Sequence, residues 1–275
     1  MRGPVRLTFL GVRGSLPVSS PDVARYGGNS TCIAVSTTAG QPPTLILDAG
    51  SGLAKASRLL DGEPYVGTIL LSHLHWDHVM GIPFFFAGDR ANARVDMFLP
   101  AQDGRDGLEL MSQFMSPPAF PITPEGLAGE WTFSAVEPGT FETDGFQVSA
   151  TEITHKGGRT YGYRVEHEGA SIGFAPDHAP VLGVSAHTIE TLAEVDVLIH
   201  DAQFLEAERD RADSFGHATV ADAVAFAEEV QARHLVLFHH GPFRSDDALD
   251  RIIDEADTHI PVTIAREGMV LDVDG

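Results

Sequence analysis

Short apolar runs separated by glycine-rich turns dominate the first part of the chain. Val5 to Leu10, Cys32 to Ser36 and Thr44 to Leu47 have the length and β-branched content of strands. The third run ends at Asp48-Ala49-Gly50-Ser51-Gly52, whose glycines predict a sharp turn into a helix near Leu53 to Leu60. Ile69 to Leu71 and Val95 to Leu99 are further strands, so strands alternate with helices early on. Thr132 to Val136, Phe146 to Thr154, Gly162 to His167 and Ser171 to Ala175 then follow strand spacing, with turns at Gly145 and Glu168-Gly169, and predict a second sheet. Val195 to His200 and His234 to Phe238 are strands on either side of a helical pattern, Val220 to Gln231, that starts behind a Thr219 cap. The fold class is α/β, with two strand-rich halves suited to two packed sheets.

Ile82 to Leu127 breaks this rhythm. Phe84-Phe85-Phe86, Met111, Phe114, Met115, Pro117, Pro118, Phe120 and Pro121 concentrate soft apolar surface among turn formers. Such a segment suits a lid over a pocket, or equally a satellite core or dimer contact.

Composition narrows the setting. With 275 residues, 43% of them hydrophobic, the chain is long enough to bury a full core as one domain over 1–275. Met1 to Leu10 lacks the long apolar core and cleavage site of a signal peptide, and no run approaches a membrane span. The single cysteine, Cys32, excludes an internal disulfide and points to a reducing, cytoplasmic setting. It also leaves any metal site to histidines and carboxylates. A formal charge of −21 disfavours long nucleic acids, whose binders release counterions with Lys and Arg, and favours a small substrate.

The chemistry concentrates in Ser72-His73-Leu74-His75-Trp76-Asp77-His78, directly after the apolar run Thr68 to Leu71. A strand end followed by a helix start projects four potential ligands into one small volume. His73 and His75 alternate, so in extended chain they point the same way and can share one metal; Asp77 and His78 follow the turn and would face a second. Three more candidates, His155, Asp177 and His239, fall at the ends of predicted strands, which deliver side chains to one rim of a sandwich. With no thiolate available, zinc leads, and manganese or iron also fits this donor set. Two such ions sharing one water would lower its pKa from about 15.7 toward 7, which makes hydrolysis the expected reaction.

The histidine-rich stretch resembles the HxHxDH signature of the metallo-β-lactamase superfamily. Phe9-Leu10-Gly11-Val12-Arg13-Gly14-Ser15 and Arg25-Tyr26-Gly27-Gly28-Asn29-Ser30 resemble its phosphodiesterase-type branch, which includes tRNase Z and the cyclic phosphodiesterases of phosphonate breakdown. The resemblance implies an αββα sandwich of two mixed sheets flanked by helices. It implies that His73, His75 and His155 hold a first divalent ion, that Asp77, His78 and His239 hold a second, and that Asp177 bridges them. His240 adjoins His239 and stays a rival for that place. Asp48 resembles an aspartate that fixes a ligand imidazole, though a helix cap is an equal role for it. Phe215-Gly216-His217-Ala218-Thr219 resembles the branch's GHxT block, so His217 is expected as a general acid or phosphate ligand. Asn29, Ser30 and Thr31 are candidates for a substrate phosphate or sugar, and His178 either faces substrate or points into its loop. Arg13 and Arg25 are nearby cations that serve either substrate or surface carboxylates.

The expected activity is therefore a dinuclear phosphodiesterase cleaving a small phosphate ester, cyclic or linear, through a metal-bridging hydroxide. Lactone or carboxyl-ester hydrolysis on the same site and a non-catalytic metal-bound ligand sensor are the alternatives. RNA processing is disfavoured by the charge and by the lack of a separate basic, glycine-rich arm, and a homodimer is expected by resemblance alone.

Overall fold

The computed structural model describes residues 5–275, so Met1 to Pro4 of the stretch Met1 to Leu10 lie outside the described residues. Among the described residues, fourteen strands form two seven-stranded mixed sheets. In chain order the first six are β1 (Val5–Gly11), β2 (Cys32–Ser36), β3 (Leu45–Leu47), β4 (Val66–Leu70), β5 (Arg94–Pro100) and β6 (Glu130–Val136). They are followed by β7 (Gly139–Thr143), β8 (Phe146–Ile153), β9 (Thr160–His167), β10 (Ala170–Ala175), β11 (Val197–Asp201), β12 (Leu235–Phe238), β13 (Val262–Ile264) and β14 (Val270–Val273). The first sheet runs β14-β1-β2-β3-β4-β5-β6 and the second β13-β12-β11-β10-β9-β8-β7.

Alternation along the strands builds three apolar layers. Leu7, Phe9, Ile33, Val35, Leu45, Leu47 and Leu70 meet Val148, Tyr163, Phe174, Val236 and Phe238 between the sheets. Their sequence neighbours Ala34, Ile46, Ile69 and Leu71 face the opposite way, toward the 3-10 helix Ser51–Leu60. Leu198, Leu235 and Leu237 likewise pack outward on the helix Val220–Glu229. A period of two thus sends each strand's apolar residues to both faces, as expected for sheets covered on both sides. The result is the αββα sandwich.

Several expectations change. Thr132 to Val136 was expected in the second sheet; it belongs to β6, Glu130–Val136, which pairs in parallel with β5 at the edge of the first. Its alternation suits either sheet, and only the chain path after β5 selects the partner. The strands β7, β13 and β14 are too short or too polar to stand out in sequence. They complete the sheets by pairing with β8, β12 and β1. The segment 82–127 contains β5, and it buries Ile82, Phe85, Met97, Leu110, Met111 and Met115 in the outer layer of the first sheet. Phe84 and Phe86 of the same segment stay exposed, and none of its residues is among those that line the cavity described below.

Arg13 and Arg25 join the ends of the chain. The Arg13 guanidinium is fully buried; it donates to the carbonyls of Gly27, Gly241 and Arg244 and lies 3.7 Å from Asp246. Arg25 pairs at the surface with Asp247 and Asp250. Both cations are engaged in the scaffold, away from any substrate. Arg13→Ala is expected to lower the unfolding free energy by about 3 kcal/mol, because three carbonyls lose their donor and the buried Asp246 carboxylate loses its neighbouring cation. Urea denaturation checks this, with an unshifted midpoint as the contrary result.

Candidate metal centre and active site

Strand direction explains why distant residues converge. β8 and β10 each run antiparallel to β9, and β10, β11 and β12 are mutually parallel, so four strands end on the same rim. His155 follows β8, Asp177 follows β10, Asp201 ends β11 and His239 follows β12. In the first sheet, β3 and β4 are parallel and deliver Asp48 and the loop beginning at Ser72 to the same end of the sandwich. The short helix Trp76–Val79 starts at once behind His75 and turns Asp77 and His78 inward.

Two groups of potential ligands result. His73, His75, His155 and Asp177 form one, and Asp77, His78 and His239 the other; within each group the donor atoms lie no more than 4.8 Å apart. Asp177 faces both. Its Oδ1 is 3.1 Å from Nε2 of His78 and 3.1 Å from Nε2 of His239. Its Oδ2 is 3.7 Å from Nε2 of His73 and 3.5 Å from Nε2 of His155. Despite this proximity, His73 Nε2, His78 Nε2 and Asp177 Oδ1 are buried without any hydrogen-bond partner. Lone pairs that converge unpaired in a dry site are what a cation satisfies, and the all-imidazole and carboxylate donor set suits zinc, manganese or iron.

The far sides of two of these imidazoles, His78 and His155, are fixed. Asp48 takes the hydrogen bond from His78 Nδ1 at 2.7 Å, while Ser72 donates to the same carboxylate through its backbone N–H and hydroxyl. That leaves Nε2 of His78 as the free lone pair. His155 Nδ1 donates to the Gly216 carbonyl at 2.6 Å, with the same effect. Asp48 and His239 both hold left-handed backbone, at φ 58° and 54°, which turns each side chain sharply off its strand end. Gly14 is required beside His239: a β-carbon there would lie 2.4 Å from the His239 ring carbon Cε1. His240 points away, donating through Nε2 to the Ala265 carbonyl, and burial lowers its pKa to about 3. His239 is thus the member of the pair that joins the cluster.

The electrostatics fit cation binding. Burial holds the pKa values of His73, His75 and His155 below the usual range, keeping them neutral, the form that coordinates. Burial opposes charge on His78 as well, but Asp177, Asp77 and Asp48 outweigh it and raise its pKa well above normal. For Asp177, burial resists ionisation, yet His239, His78 and His73 pull its pKa well down. A site that attracts protons so strongly in the absence of cations competes those protons against metal.

His217 stands at the edge of both groups. The helix Arg209–Phe215 ends at Gly216 in the left-handed conformation, and Thr219 caps the next helix by accepting from the Asp222 amide. Two helix ends therefore pin the loop that carries His217. Its Nδ1 donates to Asp201 Oδ2 at 2.8 Å. Burial disfavours its charged form, but Asp201 and then Asp177 and Asp77 lift its pKa to about 8, so the ring is a proton donor at neutral pH. It is also near enough to Asp177 and His239 to act as a ligand. Sequence reasoning missed Asp201, although a carboxylate ending a strand is the same signal that marked Asp177.

The remaining candidates lie elsewhere. His178 is buried, bonded through Nδ1 to His200 and packed edge-on against Phe226, away from the cavity. Asn29 donates to Glu267 and accepts from Ser51, while Ser30 bonds to Ser51; both serve the scaffold. Thr31 is fully buried, with its hydroxyl on the Arg13 carbonyl. A cavity of about 930 Å³ opens over the metal groups, lined by His75, Asp77, His155, Asp177 and His217.

This sandwich, with its strand-end histidines and aspartates, defines a metal-dependent hydrolase of the metallo-β-lactamase fold. The chain belongs to the beta-lactamase superfamily, whose domain model matches residues 44–240. It is 24% identical over 277 residues to the ribonuclease Z of Natronomonas pharaonis, with 86% of each chain covered. Among solved structures it is similar to the metallo-β-lactamase fold protein YhfI from Bacillus subtilis, at TM-score 0.73 and 20% identity over 98% of this chain and 99% of that one. A diphosphatase of the PhnP family superimposes at TM-score 0.70 and 18% identity over 98% of both chains. Among the described residues, no helix is long and apolar enough to cross a membrane.

Asp48→Asn removes the acceptor that orients His78 and is expected to weaken metal binding by about 10- to 100-fold. Competition with a chromogenic chelator measures this, and unchanged affinity would free Asp48 from that role.

Proposed function

We propose that the chain is a dinuclear phosphodiesterase acting on a small phosphate ester, cyclic or linear. His73, His75 and His155 hold one divalent ion, Asp77, His78 and His239 the other, and Asp177 bridges them, with zinc the leading choice. The observation that carries this reading is the Asp177 carboxylate, whose two oxygens face separate histidine groups, with Nε2 of His73 in one and Nε2 of His78 in the other left without a hydrogen-bond partner. When bound, such a pair of ions supplies Lewis acidity and a nucleophilic water at neutral pH.

The chain's own residues supply the rest. The backbone N–H of Ser15 donates to Asp77 Oδ2 at 2.6 Å and fixes that carboxylate beside His78 and His239. His217, held through Nδ1 by Asp201, keeps Nε2 to deliver a proton to the departing alkoxide. The cavity volume is that of a small-molecule site.

A second reading, cleavage of RNA, is favoured by the names of relatives such as the ribonuclease Z of Natronomonas pharaonis. The net charge of −21 weighs against a long polyanion and for the small ester.

Purified, metal-supplemented protein is expected to bind two ions per chain. Asp177→Asn is expected to lose the second ion and nearly all hydrolysis of bis(p-nitrophenyl) phosphate. One ion in the parent protein, or full activity in the variant, sinks the dinuclear bridge.

Substrate class is tested on bis(p-nitrophenyl) phosphate beside lactones, p-nitrophenyl acetate and an RNA with a 3′ extension. His217→Ala should lower turnover by about 10²–10⁴-fold for a phosphodiester with a poor alkoxide leaving group, and far less for p-nitrophenyl esters that leave unaided. A lactone-only profile would overturn the phosphodiester choice.

A further inference from the structure

The mouth of the metal cavity is apolar and aromatic to a degree that its hydrolytic chemistry does not require. Trp76, Phe215 and Phe243 line it while being 72%, 56% and 83% exposed, and Leu16 stands beside them. These are three of only five large aromatic side chains exposed among the described residues, the others being Phe84 and Phe86 on the far segment. Single exposed apolar residues are ordinary; a cluster around a polar, cation-ready site is not.

The cluster has a rigid backing. Phe215 lies parallel to Phe204, with 7° between ring planes and 6.5 Å between centroids, and Phe204 is buried. The left-handed Gly216 stops the helix at Phe215 and fixes where that ring emerges. Phe243 follows the Gly241 and Pro242 turn, whose backbone the buried Arg13 guanidinium holds. Lys156, Arg211 and Arg244 bring positive charge to the same cavity against one carboxylate beside them, Glu208, which pairs with Arg244 and lies 4.0 Å from Arg211. The Arg211 guanidinium lies 5.6 Å over the Phe204 ring, and Lys156 bonds the Ser214 carbonyl. In a chain with 39 acidic and 18 basic side chains, a local excess of cations beside exposed rings marks a place for an anion joined to a planar group.

We propose that Trp76, Phe215 and Phe243 form a stacking subsite that selects substrates in which a planar aromatic ring system is joined to the phosphate. The inference rests on the phosphodiesterase reading and adds to it a specificity determinant. Stacking on a π-face tolerates many ring systems, so the shared chemistry is a ring attached to phosphate, whether a nucleobase or a simple aryl group.

Isothermal titration of the metal-loaded protein tests it with inorganic phosphate, methyl, cyclohexyl and phenyl phosphate, ribose 5-phosphate and adenosine 5′-monophosphate. At least one ring-bearing ligand should bind about tenfold or more tighter than its ringless counterpart. Phe215→Leu and Phe243→Leu keep an apolar mouth without the ring, and should erase most of that gain while leaving inorganic phosphate affinity and metal content unchanged. A larger gain for the adenosine pair identifies a nucleobase, and a larger gain for the phenyl pair a simple aryl group. Equal affinities across each pair, or cyclohexyl phosphate binding as tightly as phenyl phosphate with no adenosine gain, overturn the stacking subsite alone. Failure of inorganic phosphate and every phosphate ester to bind overturns the phosphodiesterase reading and this inference together.

Discussion

A single buried carboxylate organises this molecule. Asp177 is almost fully inaccessible, and its two oxygens look toward two histidine groups supplied by both sheets. Burying that charge among imidazoles is unfavourable unless the lone pairs on both sides are satisfied, by protons or by cations. The tension is visible in opposite directions at neighbouring groups. His78 holds its proton far more tightly than usual, while His73 resists taking one. A cation in each group would relieve both, and the surrounding architecture keeps the groups apart at the distances that make this possible.

The scaffold serves that arrangement from both sheets. The parallel pair β3 and β4 presents Asp48 with the loop that carries His73 to His78. β8, β10, β11 and β12 present His155, Asp177, Asp201 and His239. Hydrogen bonds from His78 to Asp48 and from His155 to the Gly216 carbonyl determine which nitrogen of each of these imidazoles faces inward. The same loop that supplies the Gly216 carbonyl carries His217, which ties ligand orientation to proton delivery. Arg13 does comparable work at the outer edge, where it joins the first strand's loop to the turn after His239.

The cavity above the site combines three environments within one opening. Carboxylates and imidazoles line its floor, and aromatic rings, the cations Lys156, Arg211 and Arg244 and the carboxylate of Glu208 line the rest. The floor suits an oxygen-rich, negatively charged group once cations are present. In the proposed reading the mouth takes a flat apolar group that carries such an anion, and the acidic exterior repels bulk polyanions.

The sequence by itself determined the α/β class, most strand positions and the cluster at residues 73 to 78, because period-two alternation and closely spaced ligands are local properties. It also marked His155, Asp177 and His239 as strand-end residues, and the Thr219 cap behind His217. Only the tertiary structure decided which sheet takes Glu130–Val136, since alternation is the same at the edge of either one. Facing is decided by backbone geometry that sequence does not display, as with His239 at left-handed φ turning inward while His240 turns toward Ala265. The same holds for charged and polar residues whose partners lie far along the chain: Arg13 and Asn29 are engaged by residues more than 200 positions away, and Asp201 meets His217 across a helix and two turns. Local pattern records what a residue is able to do, and the long-range strand order settles which neighbour it does it with.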